Sequence, residues 1–260
     1  MKKLGFIGMG NMASAILNGI IDSSFLKGED VIVYDINQKQ LDKVKCLGVV
    51  CGKSELEVVE NSEIVFIAVK PQVVESVLFP LKKSLMKKAL ISIVLGYDFE
   101  KYNSLLDQST RHIFVMPNTP AQVMEGMSLL EESHSLTHDE FDFTKALFSS
   151  IGKVEIVPSH LMKVGGALSG CAPAYIYMII EALADGAVKE GMPRDMAYRL
   201  ASQVVLGSGK MQLETGLHPG ILKDNVCSPG GSTIRGVDAL EKGGLRSIFM
   251  EAISASMHYK

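Results

Sequence analysis

An apolar segment, Leu4-Gly5-Phe6-Ile7, runs straight into Gly8-Met9-Gly10-Asn11-Met12-Ala13, and a helical pattern begins at Asn11. A G-x-G-x-x-A turn between a strand and a helix leaves few folds open. Gly8 permits the tight turn, Gly10 lets the backbone approach a pyrophosphate, and Ala13 is small enough for the helix to pack on the strand. The free N–H groups at the helix start then face the phosphates. A glycine turn by itself can be only a turn. Here an acid, Asp35, ends the second apolar run (VIVYD) at about the twenty-residue spacing of a dinucleotide fingerprint. We expect dinucleotide contacts from Gly8, Met9, Gly10, Asn11, Met12 and Asp35.

Asp35 bears on which dinucleotide. A carboxylate there accepts from the ribose hydroxyls of NAD and repels the 2′-phosphate of NADP. Ile36 and Asn37 follow it, no Arg is adjacent, and Lys39 and Lys43 are the nearest cations. The cofactor is NADPH or NADH, with a lean to NADH. The alternative is that Asp35 only caps the next helix.

The first half alternates strand and helix patterns. Strands are expected at Leu4–Ile7, Val31–Tyr34, Ile64–Val69, Ala89–Leu95 and His112–Met116, and helices at Asn11–Ile21, Gln38–Cys46 and Val73–Leu85. The continuous run IVFIAV marks a strand covered on both faces. Such alternation means βαβ units and a parallel sheet. Beyond Pro158 no strand pattern appears. Ala174–Glu190, Pro193–Thr215 and Leu245–Met257 read as helices, with His218-Pro219-Gly220 as a turn. The fold class is therefore α/β: a Rossmann-type, doubly wound parallel sheet over 1–157, then an all-helical domain over 158–260. That second domain is rich in Ala, Met and Leu and too small to close a core easily, so a homodimer is expected through it.

Composition narrows the setting. The chain has 260 residues, 47% of them hydrophobic, and a net charge of −3, so nothing favours nucleic acid or an anionic membrane. The apolar stretches read as interrupted before a membrane span is reached. Four Cys and six His show no metal-ligand spacing, and free thiols point to a reducing compartment. With no N-terminal signal pattern, the expectation is cytoplasmic.

Three other stretches resist explanation as packing. Lys70, in AVKP, follows an expected strand whose C-terminal end borders a ligand crevice; the alternative is a surface lysine before a helix-starting proline. Asn118, in MPNTP, lies in a proline-stiffened loop at the same rim, where a cofactor contact is expected of it; the alternative is an ordinary turn. Ser228-Pro229-Gly230-Gly231-Ser232-Thr233 combines glycines, hydroxyls and a helix start, which together make an anion nest fit for a small carboxylate. It also reads as a plain loop capping the helix near Thr233.

AVKP, MPNTP, LSG-x-x-PAY, EALADGAVKEGMPR, HPG-x-LKDNVCSPGGSTI and GGLRS, in this order, resemble the Δ1-pyrroline-5-carboxylate reductase family from the glycine turn to nearly the last helix. The KDNVCSPGGST stretch carries the specificity. The resemblance implies hydride transfer from NAD(P)H to 1-pyrroline-5-carboxylate, giving L-proline. It implies that Val69 and Lys70 stand beside the nicotinamide and that Asn225 contacts cofactor across the domain boundary. It further implies that Ser228, Gly230, Gly231, Ser232 and Thr233 form the substrate site, with Thr233 reaching the ring nitrogen as catalytic group alongside Lys70. A dimer is implied, or a ring of dimers.

Some residues depart from the family pattern. Cys171 and Ala172 replace a Ser and a Gly in LSGSGPAY, and Ser92-Ile93-Val94-Leu95-Gly96 replaces a smaller Ala-Gly run. Asp35-Ile36 stands where many members carry Asn-Arg. A reductase-like regulator with lost catalysis is one alternative. A 3-hydroxy acid dehydrogenase is another, but its catalytic Lys and Asn positions hold Ala174 and Met178 here.

Overall fold

The computed structural model describes residues 1–258. Eight strands form one sheet: β1 (Lys2–Ile7), β2 (Val31–Tyr34), β3 (Val50–Cys51), β4 (Ser62–Ile67), β5 (Ala89–Ser92), β6 (Arg111–Met116), β7 (Gly126–Glu131) and β8 (Gly152–Val157). Helices α1 (Asn11–Asp22), α2 (Gln38–Val44), α3 (Glu55–Asn61), α4 (Val74–Leu81), α5 (Phe99–Leu105), α6 (His138–Ser149) and α7 (Ser159–Gly166) connect or follow them. The order is β3-β2-β1-β4-β5-β6-β7-β8. The pairings from β3 to β6 are parallel, β6–β7 is antiparallel and β7–β8 is parallel again. The chain works outward from β1 to β3 and returns at β4, so the topological switch lies between β1 and β4.

Side-chain alternation shows why the apolar runs are continuous. Leu4, Phe6, Ile64 and Phe66 enter the core under α1 and α6, while Ile7, Val65 and Ile67 enter the core under α4 and α5. Both faces are covered, as a parallel sheet requires.

Several boundaries differ from the expected ones. Strand β4 ends at Ile67, so Val69 belongs to the loop. Strand β5 stops at Ser92, whose hydroxyl accepts the Val94 N–H at 3.1 Å and pairs with the Tyr102 hydroxyl at 2.6 Å, turning the chain out of the sheet. Helix α2 gives way to a 3-10 turn after Val44. Helix α4 ends at Leu81, where Pro80 has no N–H for the carbonyl four residues back. Strands β3, β7 and β8 and helices α3, α5, α6 and α7 add to the expected list.

The chain divides into two compact units, Met1–Gly170 and Cys171–Lys260. Met162 of α7 packs with Phe114 and Leu129 of the sheet, so α7 lies with the first unit. The second unit holds α8 (Ala172–Lys189), α9 (Arg194–Thr215), α10 (Pro219–Asn225), α11 (Ser232–Lys242) and α12 (Leu245–Met257). Helix α8 packs on α9, and the Tyr175 hydroxyl bonds to Ser256 of α12. The residues His218-Pro219-Gly220 begin α10 and do not form a free-standing turn: the His218 ring accepts the Gly220 N–H at 3.0 Å.

Among the described residues of this unit only small hydrophobic side chains are buried, namely Ala184, Ala197 and Ala201, while Met178 and Met250 are 68% and 74% exposed. One expectation is corrected. Ser159–Lys189 is helical throughout, and by length and composition it is apolar enough to cross a membrane. Gly165, Gly166 and Gly170 do not break it, because a π-helical turn at Ala167–Cys171 carries α7 into α8.

Candidate active site

At the switch point the turn after β1 lies against the turn after β4. The Gly8 N–H donates to Tyr34 O at 2.8 Å, and the Ala68 N–H donates to Ile7 O at 2.9 Å. Gly8 has φ +93, and a Cβ there would stand 2.7 Å from Ala68 O, so only glycine fits. Gly10 is different. Its φ of −66 suits any residue, and a Cβ would meet nothing within 4 Å. Neither backbone nor packing requires a glycine there, whereas a phosphate approaching the backbone does. Gly10 is also the N-cap of α1, with no side-chain cap, so the N–H groups at the helix start are left for a ligand. Met9 is fully buried, Met12 half-buried and Asn11 exposed.

Asp35 is not the cap of α2. That place belongs to Asn37, whose side chain accepts the Lys39 N–H at 3.1 Å. The Asp35 carboxylate accepts the Met9 N–H and the Asn37 N–H, each at 2.7 Å. Each oxygen keeps a further lone pair for a ribose hydroxyl. Ile36, beside it, is 87% exposed.

Beyond β4, Val69 is half-buried and Lys70 exposed at the start of a short 3-10 turn. The Tyr97 hydroxyl, from the loop after β5, lies 3.3 Å from both Pro71 O and Glu75 Oε1. Beyond β6, Asn118 is 7% exposed. Its Oδ1 accepts the Met127 N–H at 2.9 Å and its Nδ2 donates to Ser169 O at 3.0 Å. The first unit thus gathers Gly8–Met12, Asp35, Val69, Lys70 and Asn118 at the carboxyl ends of the strands. Ser169 was not among the expected site residues, and only its place in LSG-x-x-PAY marks it in the sequence.

In the second unit, Lys223 pairs with Asp224 at 2.5 Å, and this hydrogen bond raises the ammonium above its ordinary range. Asn225 ends α10 and is exposed. In the loop that follows, the Gly231 N–H closes on Ser228 O at 3.0 Å, and Gly230 has φ +69. Helix α11 begins at Ser232 with Gly231 as N-cap and no side-chain cap. Its first N–H groups, with exposed Ser228, Ser232 and Thr233 beside them, make an uncapped helix start that suits a carboxylate.

Comparison with known proteins adds the following. Residues 159–260 match the family model described as pyrroline-5-carboxylate reductase dimerisation, and residues 3–96 the one described as NADP oxidoreductase, coenzyme F420-dependent. A pyrroline-5-carboxylate reductase of Methanosarcina acetivorans is 41% identical, over 97% of this chain and 94% of its own. One of Escherichia coli is 41% identical, over 98% and 96%. The solved pyrroline carboxylate reductase of Plasmodium falciparum, with NADP bound, matches with a TM-score of 0.89 at 32% identity, covering 98% of this chain and 95% of that one.

Proposed function

This chain belongs to the pyrroline-5-carboxylate reductase family, and we propose that its two glycine-containing turns each hold one of the two reactants. The chain is an NAD(P)H-dependent oxidoreductase that reduces the C=N bond of 1-pyrroline-5-carboxylate to L-proline. A reduced nicotinamide held here would supply the hydride for the imine carbon.

The protein's part is to bind and orient. Asn11, Met12 and the backbone N–H groups at the start of α1 hold the pyrophosphate, and Gly8 and Gly10 let it come close. Asp35 accepts from the adenosine ribose, which favours NADH. Val69 and Lys70 border the nicotinamide end, with Asn118 behind them at the same rim, and Asn225 is a further cofactor contact. On the substrate side, Ser228, Gly230, Gly231 and Ser232 present N–H and O–H groups to the carboxylate. The Thr233 hydroxyl donates to the nitrogen of the neutral imine and relays a solvent proton to it as hydride reaches the carbon. That nitrogen is basic by itself, so a tuned acid is not required. Rate comes from orientation and from dipoles aimed at the changing charge.

The observation that carries this reading is Gly10, a glycine that neither its own backbone nor its neighbours call for. The scarcity of buried side chains in the second unit supports a homodimer built through residues 158–260, which we take as the substrate and dimerisation domain. A ring of dimers is the further assembly we propose. The free cysteines support a cytoplasmic setting. The deciding experiment is oxidation of NADH and of NADPH by the purified chain with pyrroline carboxylate. No turnover with either would leave a dinucleotide-binding protein without this reaction.

A further inference from the structure

Asn118 stands among the expected cofactor contacts, yet both ends of its amide are engaged within the protein. Its Oδ1 holds the start of β7 through the Met127 N–H, and its Nδ2 holds Ser169 O. Ser169 lies in the π-helical turn Ala167–Cys171, from which α8 starts. A π turn is intrinsically less favourable than the α-helix around it and persists where something outside it fixes the backbone.

The neighbouring residues are shaped for the same contact. A Cβ on Gly166 would stand 2.1 Å from the Met116 sulfur, and one on Gly165 would stand 2.6 Å from Leu129 Cδ1. Two successive glycines thus bring α7 down onto the exits of β6 and β7, and Asn118 pins the turn that follows. The Ser169 hydroxyl is buried with no hydrogen-bond partner among the described residues. A polar group held in that state is costly, and native proteins tolerate it mainly where it has a use.

We propose that Asn118 is a positioning residue for the reduction: it acts by clamping the Ser169 turn to the carboxyl end of β6, at the nicotinamide side of the strand ends, and not by touching cofactor. This rests on the reductase reading above.

Asn118→Asp is the informative variant. It keeps an oxygen for the Met127 N–H and places an oxygen against Ser169 O where a donor stood. Expected in the full-length dimer is a fall in kcat of about 10-fold to 100-fold, the scale of a small misplacement remote from the chemistry. Kd for NADH, read from its fluorescence, should stay within about twofold, since no cofactor contact is removed. Amide exchange should quicken across 167–171 while the Met127 amide stays protected. A raised Kd with kcat intact at saturation would assign Asn118 to the cofactor and overturn the clamp, as would unchanged kcat with unchanged exchange.

If the Asp variant does not fold, Asn118→Ser, uncharged and too short to reach Ser169, carries the kcat, Kd and 167–171 exchange readouts. Should the wild-type chain fail to reduce pyrroline carboxylate, the reductase reading falls, and exchange at 167–171 still decides the clamp.

Discussion

The Asp35 carboxylate stands 2.7 Å from the Met9 nitrogen and accepts its N–H, tying the end of β2 to the middle of the glycine turn. One side chain therefore shapes the glycine turn and, on the reading proposed above, charges the site of the adenosine ribose. Asp35→Asn keeps an acceptor oxygen and removes the negative charge that opposes a 2′-phosphate. The ratio of kcat/KM for NADH over NADPH should fall at least about tenfold, the equivalent of ~1.4 kcal/mol. Parallel assays with the two cofactors measure it, and an unchanged ratio would separate Asp35 from cofactor choice.

Thr233 is exposed in the first turn of α11, where its hydroxyl is free to reach a ligand. Replacement by Ala should lower kcat by roughly 10-fold to 1,000-fold without abolishing turnover, because the substrate nitrogen is basic without help. Steady-state kinetics at saturating cofactor decide it. An unchanged kcat would remove Thr233 from the mechanism.

Gly230 carries φ +69, which a side chain adopts only with strain, although nothing stands within 4 Å of a Cβ there. Gly230→Val should therefore distort the anion nest more than the packing. KM for pyrroline carboxylate should rise about tenfold or more, with Kd for NADH unchanged. A variant with normal KM would show that the nest does not bind the carboxylate.

Glu131 of β7 is 1% exposed and accepts the Phe99 N–H at 2.8 Å. Burial raises its pKa, against hydrogen bonds from Ser159 and Phe99 that lower it. A folded-state pKa above the unfolded one gives stability that is complete below the ordinary carboxylate range and is lost as pH rises through the folded pKa. Glu131→Gln should thus raise Tm relative to the unaltered chain at neutral pH. The gain should vanish near pH ~4. Thermal melts across that range test the sign.

Glu140 shows the opposite sign. Burial would raise its pKa, but hydrogen bonds from Arg111, at 2.7 and 2.6 Å, and from Thr137 together hold it below the ordinary range. Its contribution is present above the unfolded pKa and is lost as pH falls through the folded one. Arg111→Ala, which also frees Lys87 O, should cost about 1–3 kcal/mol at neutral pH. Denaturant unfolding should show that loss shrinking on acidification.

Much of this protein was legible along the chain. Strands β1, β2, β4 and β6 are short continuous apolar runs, and such runs buried on both faces stand out from any helical period. The glycine turn and the acid that ties to it, Asp35, were legible because a tight strand-to-helix turn demands its residue types at a fixed spacing. Strands β7 and β8 were harder to read. Their pairing begins where Gly126 faces Gly152, and a Cβ on Gly152 would stand 2.0 Å from Gly126 O. Two glycines that admit a close backbone contact look, one at a time, like breaks.

By itself, then, the order of residues determined the β/α alternation, the nucleotide turn and the family. These rest on local periodicity and on short motifs whose parts are close in the chain. Only the tertiary structure decided the hydrogen bond from Asn118 to Ser169, the burial of Glu131 and the early end of β5 at Ser92. Each depends on a partner from another element. A hydrogen bond or a buried charge between distant residues leaves no periodic trace in either segment, because its energy exists only once the fold has brought the two together.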